Sequence, residues 1–109
     1  MIAGFIVADK PVKVAVRALG PSLTARGVAG VLRDPTVELF DTTQAEPRRI
    51  GFNDNYADAE VNRLSGYRPP EALDALILAT LPKGQYTAVV RGKGDTTGVG
   101  LVEVFWIRP

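Results

Sequence analysis

Ala75-Leu76-Ile77-Leu78-Ala79-Thr80-Leu81-Pro82-Lys83-Gly84-Gln85-Tyr86-Thr87-Ala88-Val89-Val90-Arg91 decides the fold class. Its first part is ambiguous alone: Leu73, Leu76 and Ile77 fit a helical face, while Ala75 to Thr80 also fits a strand buried on both faces. The neighbouring turn settles it as a strand. Leu81-Pro82-Lys83-Gly84 carries Pro at i+1 and Gly at i+3 of a type I turn. Gln85 to Arg91 then alternates, with Tyr86, Ala88 and Val90 on one face, so the two segments are expected to form a hairpin.

The period-2 pattern continues on both sides. Upstream, Ile2 to Val7 is a short apolar strand closed by Asp9-Lys10-Pro11, and Val12, Val14, Val16 and Ala18 alternate with Lys13 and Arg17 in a half-buried strand. Gly20-Pro21-Ser22 breaks it, and Leu23 to Leu32 reads as a loop with no more than a helical turn. Thr36 to Asp41 and Arg48 to Phe52 are two further strands. Asn53-Asp54-Asn55 stops the second, because Asx side chains bond their own backbone. Between Tyr56 and Leu64 the period becomes 3.6, with Ala57, Val61 and Leu64 on one face, Asn55 as N-cap, Asp58 and Glu60 in the first turn and Gly66 at C′, predicting one short helix. Downstream, Gly92 to Gly98 is a polar glycine loop, expected to be a hairpin loop. Val99 to Ile107 is the last strand, Val102, Val104 and Trp106 sharing a face. Alternation puts Phe105 and Trp106 on opposite faces, the expectation being Trp106 in the core and Phe105 at the surface. About seven to eight strands with one short helix argue an all-β antiparallel β-sandwich, and 109 residues fit a single domain, 1–109.

Composition narrows the chemistry. With no Cys and no His the chain lacks disulfides, thiolate nucleophiles, cysteine-held metals and the usual general base. A net charge of +1 lacks the basic excess of a nucleic-acid binder, and the arginines Arg33, Arg48, Arg49, Arg63 and Arg91 are scattered rather than striped. Met1 to Ala8 is too short to span a bilayer and lacks the basic start of a signal peptide, so no membrane insertion is expected and any export signal has been removed or never existed. Ser22 has no G-x-S-x-G frame and no histidine partner, and nothing brings Glu38, Asp41 and Glu103 together as a glycosidase pair. Gly92-Lys93-Gly94-Asp95-Thr96-Thr97-Gly98 matches no phosphate-loop spacing. No catalytic residues are assigned; the chain is read as a non-enzyme with no resident cofactor.

Arg17-Ala18-Leu19-Gly20-Pro21-Ser22-Leu23, Asp34-Pro35-Thr36-Val37-Glu38-Leu39, Asn53-Asp54-Asn55-Tyr56, Ala75 to Gly92 and Thr97-Gly98-Val99-Gly100-Leu101-Val102-Glu103-Val104 resemble a roughly hundred-residue unit, often repeated, of large secreted bacterial proteins. The second half is also similar to the bacterial pre-peptidase C-terminal domain, a jelly-roll-like sandwich. The resemblance implies a jelly-roll-like fold, export to the cell surface or extracellular space, and a non-catalytic accessory or structural role. The family unit usually begins with a further segment ahead of Ile2 to Val7; if that segment is a strand, its absence leaves a sheet edge unpaired.

Two functional expectations follow. The first is a structural or adhesive module that self-assembles through its terminal strands, as a head-to-tail oligomer or filament, using Ile2, Phe5, Val7, Phe105, Trp106 and Ile107, since unpaired apolar edges recruit strands. The alternative is a calcium-dependent module binding polysaccharide or a cell-surface protein. There Asn53, Asp54, Asn55 and Asp58 offer hard oxygen ligands, with Asp34 or Asp41 near in space, and exposed aromatics stack on sugar. Asn53 to Asp58 does not have EF-hand spacing, and an Asx turn is the competing reading.

Overall fold

The computed structural model describes residues 1–58, 62 and 65–107. Seven strands form: β1 (Ile2–Val7), β2 (Val12–Leu19), β3 (Pro35–Asp41), β4 (Arg48–Asn53), β5 (Ala75–Leu81), β6 (Gly84–Gly92) and β7 (Leu101–Ile107). They make two sheets, a four-stranded one in the order β1-β6-β3-β4 and a three-stranded one in the order β5-β2-β7, with antiparallel ladders throughout. The sandwich expected from the alternating pattern is therefore what forms.

Between the sheets lie the residues the period-2 pattern selects: Val14, Val16 and Ala18 of β2, Val37 and Leu39 of β3, Ala75 and Ile77 of β5, and Tyr86, Ala88 and Val90 of β6. Burying these apolar faces against one another is the dominant favourable term, worth roughly 1.5–3 kcal/mol for each large aliphatic side chain. The order of the strands follows from how the chain feeds this core. Of consecutive strands only β3 and β4 are neighbours in a sheet; the other connections pass from one sheet to the other, the wrapping of a jelly roll.

The expected hairpin of Ala75–Leu81 with Gln85–Arg91 does not form. β5 bonds β2, whereas β6 runs between β1 and β3 in the opposite sheet, so Leu81-Pro82-Lys83-Gly84 is a corner between layers. The Tyr86 hydroxyl clamps this corner by donating to the Pro82 carbonyl at 2.7 Å. Facing across the core lets Ala75, Ile77 and Leu81 pack against Tyr86, Ala88 and Val90, which a side-by-side hairpin would not allow. For the same reason the Gly92–Gly98 segment is not a hairpin loop: β6 and β7 belong to different sheets.

Pro21–Arg26 forms a six-residue 3₁₀ helix that overlaps the segment read as a loop with no more than a helical turn. Gly20, which opens it, has to be glycine, because a Cβ there would sit 1.9 Å from the Leu32 carbonyl oxygen. The predicted helix after β4 begins as a 3₁₀ turn, Tyr56–Asp58, with Asn62 helical beyond it; Glu60, Val61 and Leu64 of that expectation lie outside the described residues. Asn55 does not cap it, since its side-chain oxygen is buried without a partner.

The outer faces of the two sheets differ. The three-stranded sheet is covered on its outer face, where Tyr67 packs on Phe105 with ring centroids 5.8 Å apart and Leu76 and Leu19 are fully buried. The four-stranded sheet keeps its outer face open, exposing Ile2, Ile6 and Phe52 around a Glu38 carboxylate paired with Arg49 and Arg91. No helix among the described residues is long and apolar enough to cross a membrane.

Candidate functional site

The two lateral sides of the sandwich are built differently. On one side lie β1 and β7: the Phe5 and Trp106 rings meet edge to face at 5.7 Å, and Gly100 lies beside the Met1 side chain. On the other lie β4 and β5, with Gly51 against Ile77. All four are edge strands.

On the β4/β5 side the start of β5 is capped by polar groups of its own chain. Leu76 on β5 donates its N–H to Asn53 Oδ1 at 3.0 Å and accepts at its carbonyl from Asn62 Nδ2 at 2.9 Å, while the Asp74 carbonyl accepts from the Tyr56 N–H at 2.9 Å. Side chains thereby take up backbone groups that would otherwise template another strand. β4 carries exposed Arg48 and Arg49 and a bulge at Ile50, two further devices that discourage edge pairing.

Among the described residues no such device protects β1. Met1 exchanges both backbone bonds with Val90, at 3.1 and 2.8 Å. Because bonded and non-bonded pairs alternate along an antiparallel ladder, Ala3, Phe5 and Val7 face β6, and Ile2, Gly4 and Ile6 turn their N–H and C=O groups outward. The strand has no charge, proline or bulge. The same alternation, counted from Leu76 through β2, turns Val102, Val104 and Trp106 of β7 outward.

Of the residues expected to mediate assembly, Ile2 is 70% and Trp106 46% exposed at this side. Phe5 points inward and stacks on Tyr86, Val7 is buried in the core, and Ile107 is half-buried at the end of β7. The expected division of Phe105 and Trp106 is inverted in degree. Trp106 takes the core side but at an open edge, whereas Phe105, on the outer face, is covered by Tyr67 and by the Arg17 guanidinium 5.2 Å from its ring centroid. Gly4 and Ile6, 63% exposed, were missed by the sequence reading because only the ladder register shows which backbone groups are free.

A second cluster forms where Asp34 and Asp54 meet Lys93. The Lys93 ammonium is 2.9 Å from Asp54 Oδ2, and its backbone N–H donates to the Asp34 carbonyl at 2.9 Å. Burial raises the Asp34 carboxyl above its ordinary value, helped by its hydrogen bond to Asp54 and the Asp54 charge and opposed by Lys93. The hydrogen bond with Asp54, then its charge and that of Asp34, raise the Lys93 ammonium in turn. One side-chain oxygen each of Asp34, Asp54 and Asn55 is buried without a hydrogen-bond partner. Of the four residues expected to hold calcium, Asn53 is engaged at both amide atoms, accepting from Leu76 and donating to the Asn55 carbonyl at 3.2 Å, and Asp58 is exposed in the 3₁₀ turn. Asp34 does come near, whereas Asp41 pairs with Arg48 instead. Among the described residues no group of three or more His, Cys, Asp or Glu is arranged to hold a metal.

The carboxylates considered as a glycosidase pair are each engaged by arginine: Glu38 by Arg49 and Arg91, Asp41 by Arg48, and Glu103 by Arg17 at 2.6 Å. Ser22 is buried and its hydroxyl makes no hydrogen bond. No family model matches the chain. No curated protein and no solved structure matches it either.

Proposed function

We propose that this chain is a non-catalytic structural or adhesive module of the cell surface or extracellular space that assembles with other copies through its open strand edges, as a subunit or as one repeat of a larger surface protein. The observation that carries the reading is the contrast between the two lateral sides, one with the start of β5 capped by Asn53 and Asn62 and with β4 carrying Arg48 and Arg49, the other leaving Ile2, Gly4 and Ile6 of an uncharged strand with outward backbone groups. The lack of His and Cys and the resemblance to repeat units of secreted proteins support it further. Light scattering and sedimentation across a wide concentration range test it: assembly that grows with concentration and is lost when charge is placed on β1 is expected. Turnover of general esterase, glycosidase or peptidase substrates, abolished by substituting Ser22 or a carboxylate, would overturn the non-catalytic part.

A second reading, a calcium-dependent binding module for polysaccharide or a surface protein, is favoured by the three unpartnered oxygens of Asp34, Asp54 and Asn55. Calcium takes six to eight oxygens, and here the Lys93 ammonium already sits against Asp54. Lys93→Met removes that competitor. Under this reading millimolar calcium raises the melting temperature of Lys93→Met by several degrees over its value in chelator, and that of the parent by less. Identical melting in calcium and chelator for both proteins removes the reading.

A further inference from the structure

β1 reads Ile2-Ala3-Gly4-Phe5-Ile6-Val7, and about Gly4 its larger pattern is the same in both directions: isoleucine two residues before, isoleucine two residues after. The three residues with outward backbone groups are these same three, Ile2, Gly4 and Ile6. Neither backbone conformation nor crowding inside the single chain demands a glycine at position 4. Its φ is not positive, and a Cβ added there would meet nothing nearer than the Tyr86 carbonyl oxygen at 3.9 Å, an ordinary contact. A glycine inside a strand weakens it, and where no bulge or bend demands one it often marks a place where a ligand or another backbone approaches closely.

Resting on the edge-assembly reading above, we propose that the occupant of this edge is β1 of a second copy, related by a two-fold axis midway between the two Gly4 residues. Antiparallel pairing centred there sets Gly4 against Gly4 and Ile2 against Ile6 of the other copy, each pair exchanging both backbone bonds. On the outer face the exposed isoleucines become cross-strand partners, Ile2 with Ile6 and Ile6 with Ile2. On the inner face the small Ala3 meets the large Phe5. Because β1 and β7 share one lateral side, an axis normal to the sheets also sets the two β7 edges antiparallel and brings the exposed half of Trp106 under the junction.

The head-to-tail arrangement fits less well. Translation would place β1 beside β4, with its arginines and bulge, and β7 parallel to β5, whose Leu76 groups are already bonded to Asn53 and Asn62. A two-fold contact uses only the β1/β7 side, away from the arginines and bulge of β4, and closes as a dimer.

Cysteine cross-linking of the full 109-residue chain reads the register directly, because the chain has no cysteine of its own. Gly4→Cys is expected to give a covalent dimer under mild oxidation, since paired Cα atoms about 5.5 Å apart lie within disulfide reach. Ile2→Cys alone is expected not to cross-link, its two copies being about 13 Å apart along the strand, whereas an equimolar mixture of Ile2→Cys and Ile6→Cys is expected to do so. Gly4→Lys puts like charges opposite each other and is expected to weaken self-association by about tenfold or more while leaving the melting temperature of the dilute protein unchanged. If Gly4→Lys fails to fold, the Ile2→Cys and Ile6→Cys pair still decides the register. Filaments or larger oligomers in which Gly4→Cys does not cross-link overturn the two-fold contact and leave edge assembly standing. A monomer at all concentrations, with no cross-link in any variant, overturns both.

Discussion

Asp74 Oδ1 accepts the Gly20 N–H at 2.9 Å, joining residues 54 positions apart at the point where β2 leaves its sheet and β5 enters it. The same carboxylate accepts from the Glu71 N–H at 3.3 Å through Oδ2, and the Asp74 side chain is fully buried. It is therefore a fixed bracket between the Gly20-Pro21 turn and the start of β5, and that bracket positions Leu76 for the asparagines that cap it.

Asp74→Ala removes both acceptors and leaves a buried N–H without a partner, a loss of about 2–4 kcal/mol. Thermal denaturation should show a fall of roughly 10 °C or more. Asp74→Asn keeps one carbonyl oxygen for Gly20 and is expected to lose distinctly less. Equal losses for the two substitutions would show that the Gly20 bond is not what Asp74 supplies.

Gly20→Ala tests the other half of the contact. With the Leu32 carbonyl oxygen 1.9 Å from the new Cβ, backbone has to move, and a cost of about 3 kcal/mol or more is expected. Gly4→Ala, where space is ordinary, is the control and should leave denaturation essentially unchanged or slightly stabilised.

The Asp34 carboxyl gives a pH signature. Its folded value is raised, so its contribution to stability is fully present below the unfolded value and is lost as pH rises through the folded one. Asp34→Asn stays neutral at every pH. Melting curves from about pH 3 to pH 7 should show the variant gaining on the parent as pH rises, the window opening at the ordinary carboxylate value near 3.9. Asp41 has the opposite sign: bonds from the Thr43 hydroxyl and N–H, and then Arg48, lower its value, so its contribution is present at neutral pH and lost on acidification. A constant offset between parent and Asp34→Asn across the range would contradict the assignment.

Arg17 donates through both Nε and Nη2 to Glu103 Oε1, at 3.0 and 2.6 Å, while lying over the Phe105 ring. Both side chains are largely shielded, so a double-mutant cycle of Arg17→Ala and Glu103→Ala should give a coupling of about 1 kcal/mol that survives moderate salt. Lysine cannot reproduce the fork or the stacking, and Arg17→Lys is expected to recover only part of it.

Much of this architecture is local and therefore readable from the chain alone. Side chains alternate across a strand with period 2, so Val14, Val16 and Ala18, or Tyr86, Ala88 and Val90, announce their strands and their buried faces without any partner being known. Lack of His and Cys is equally local, and it removes disulfides, thiolate nucleophiles and histidine- or cysteine-held metals before any fold is considered. Which strand lies beside which is not local. Pro82-Lys83-Gly84 turns the chain equally well within a sheet or between sheets, and only the facing apolar sets across the core made it a corner. The candidate edge depended on the same nonlocal fact: Asn53 and Asn62 cap Leu76, and Ile2, Gly4 and Ile6 turn their backbone outward, because of a ladder register set by residues far away in sequence. Lys93 came to Asp54, and Asp74 to Gly20, by that same folding of distant segments together, and neither polar contact carries a periodic signal that a one-dimensional reading could detect.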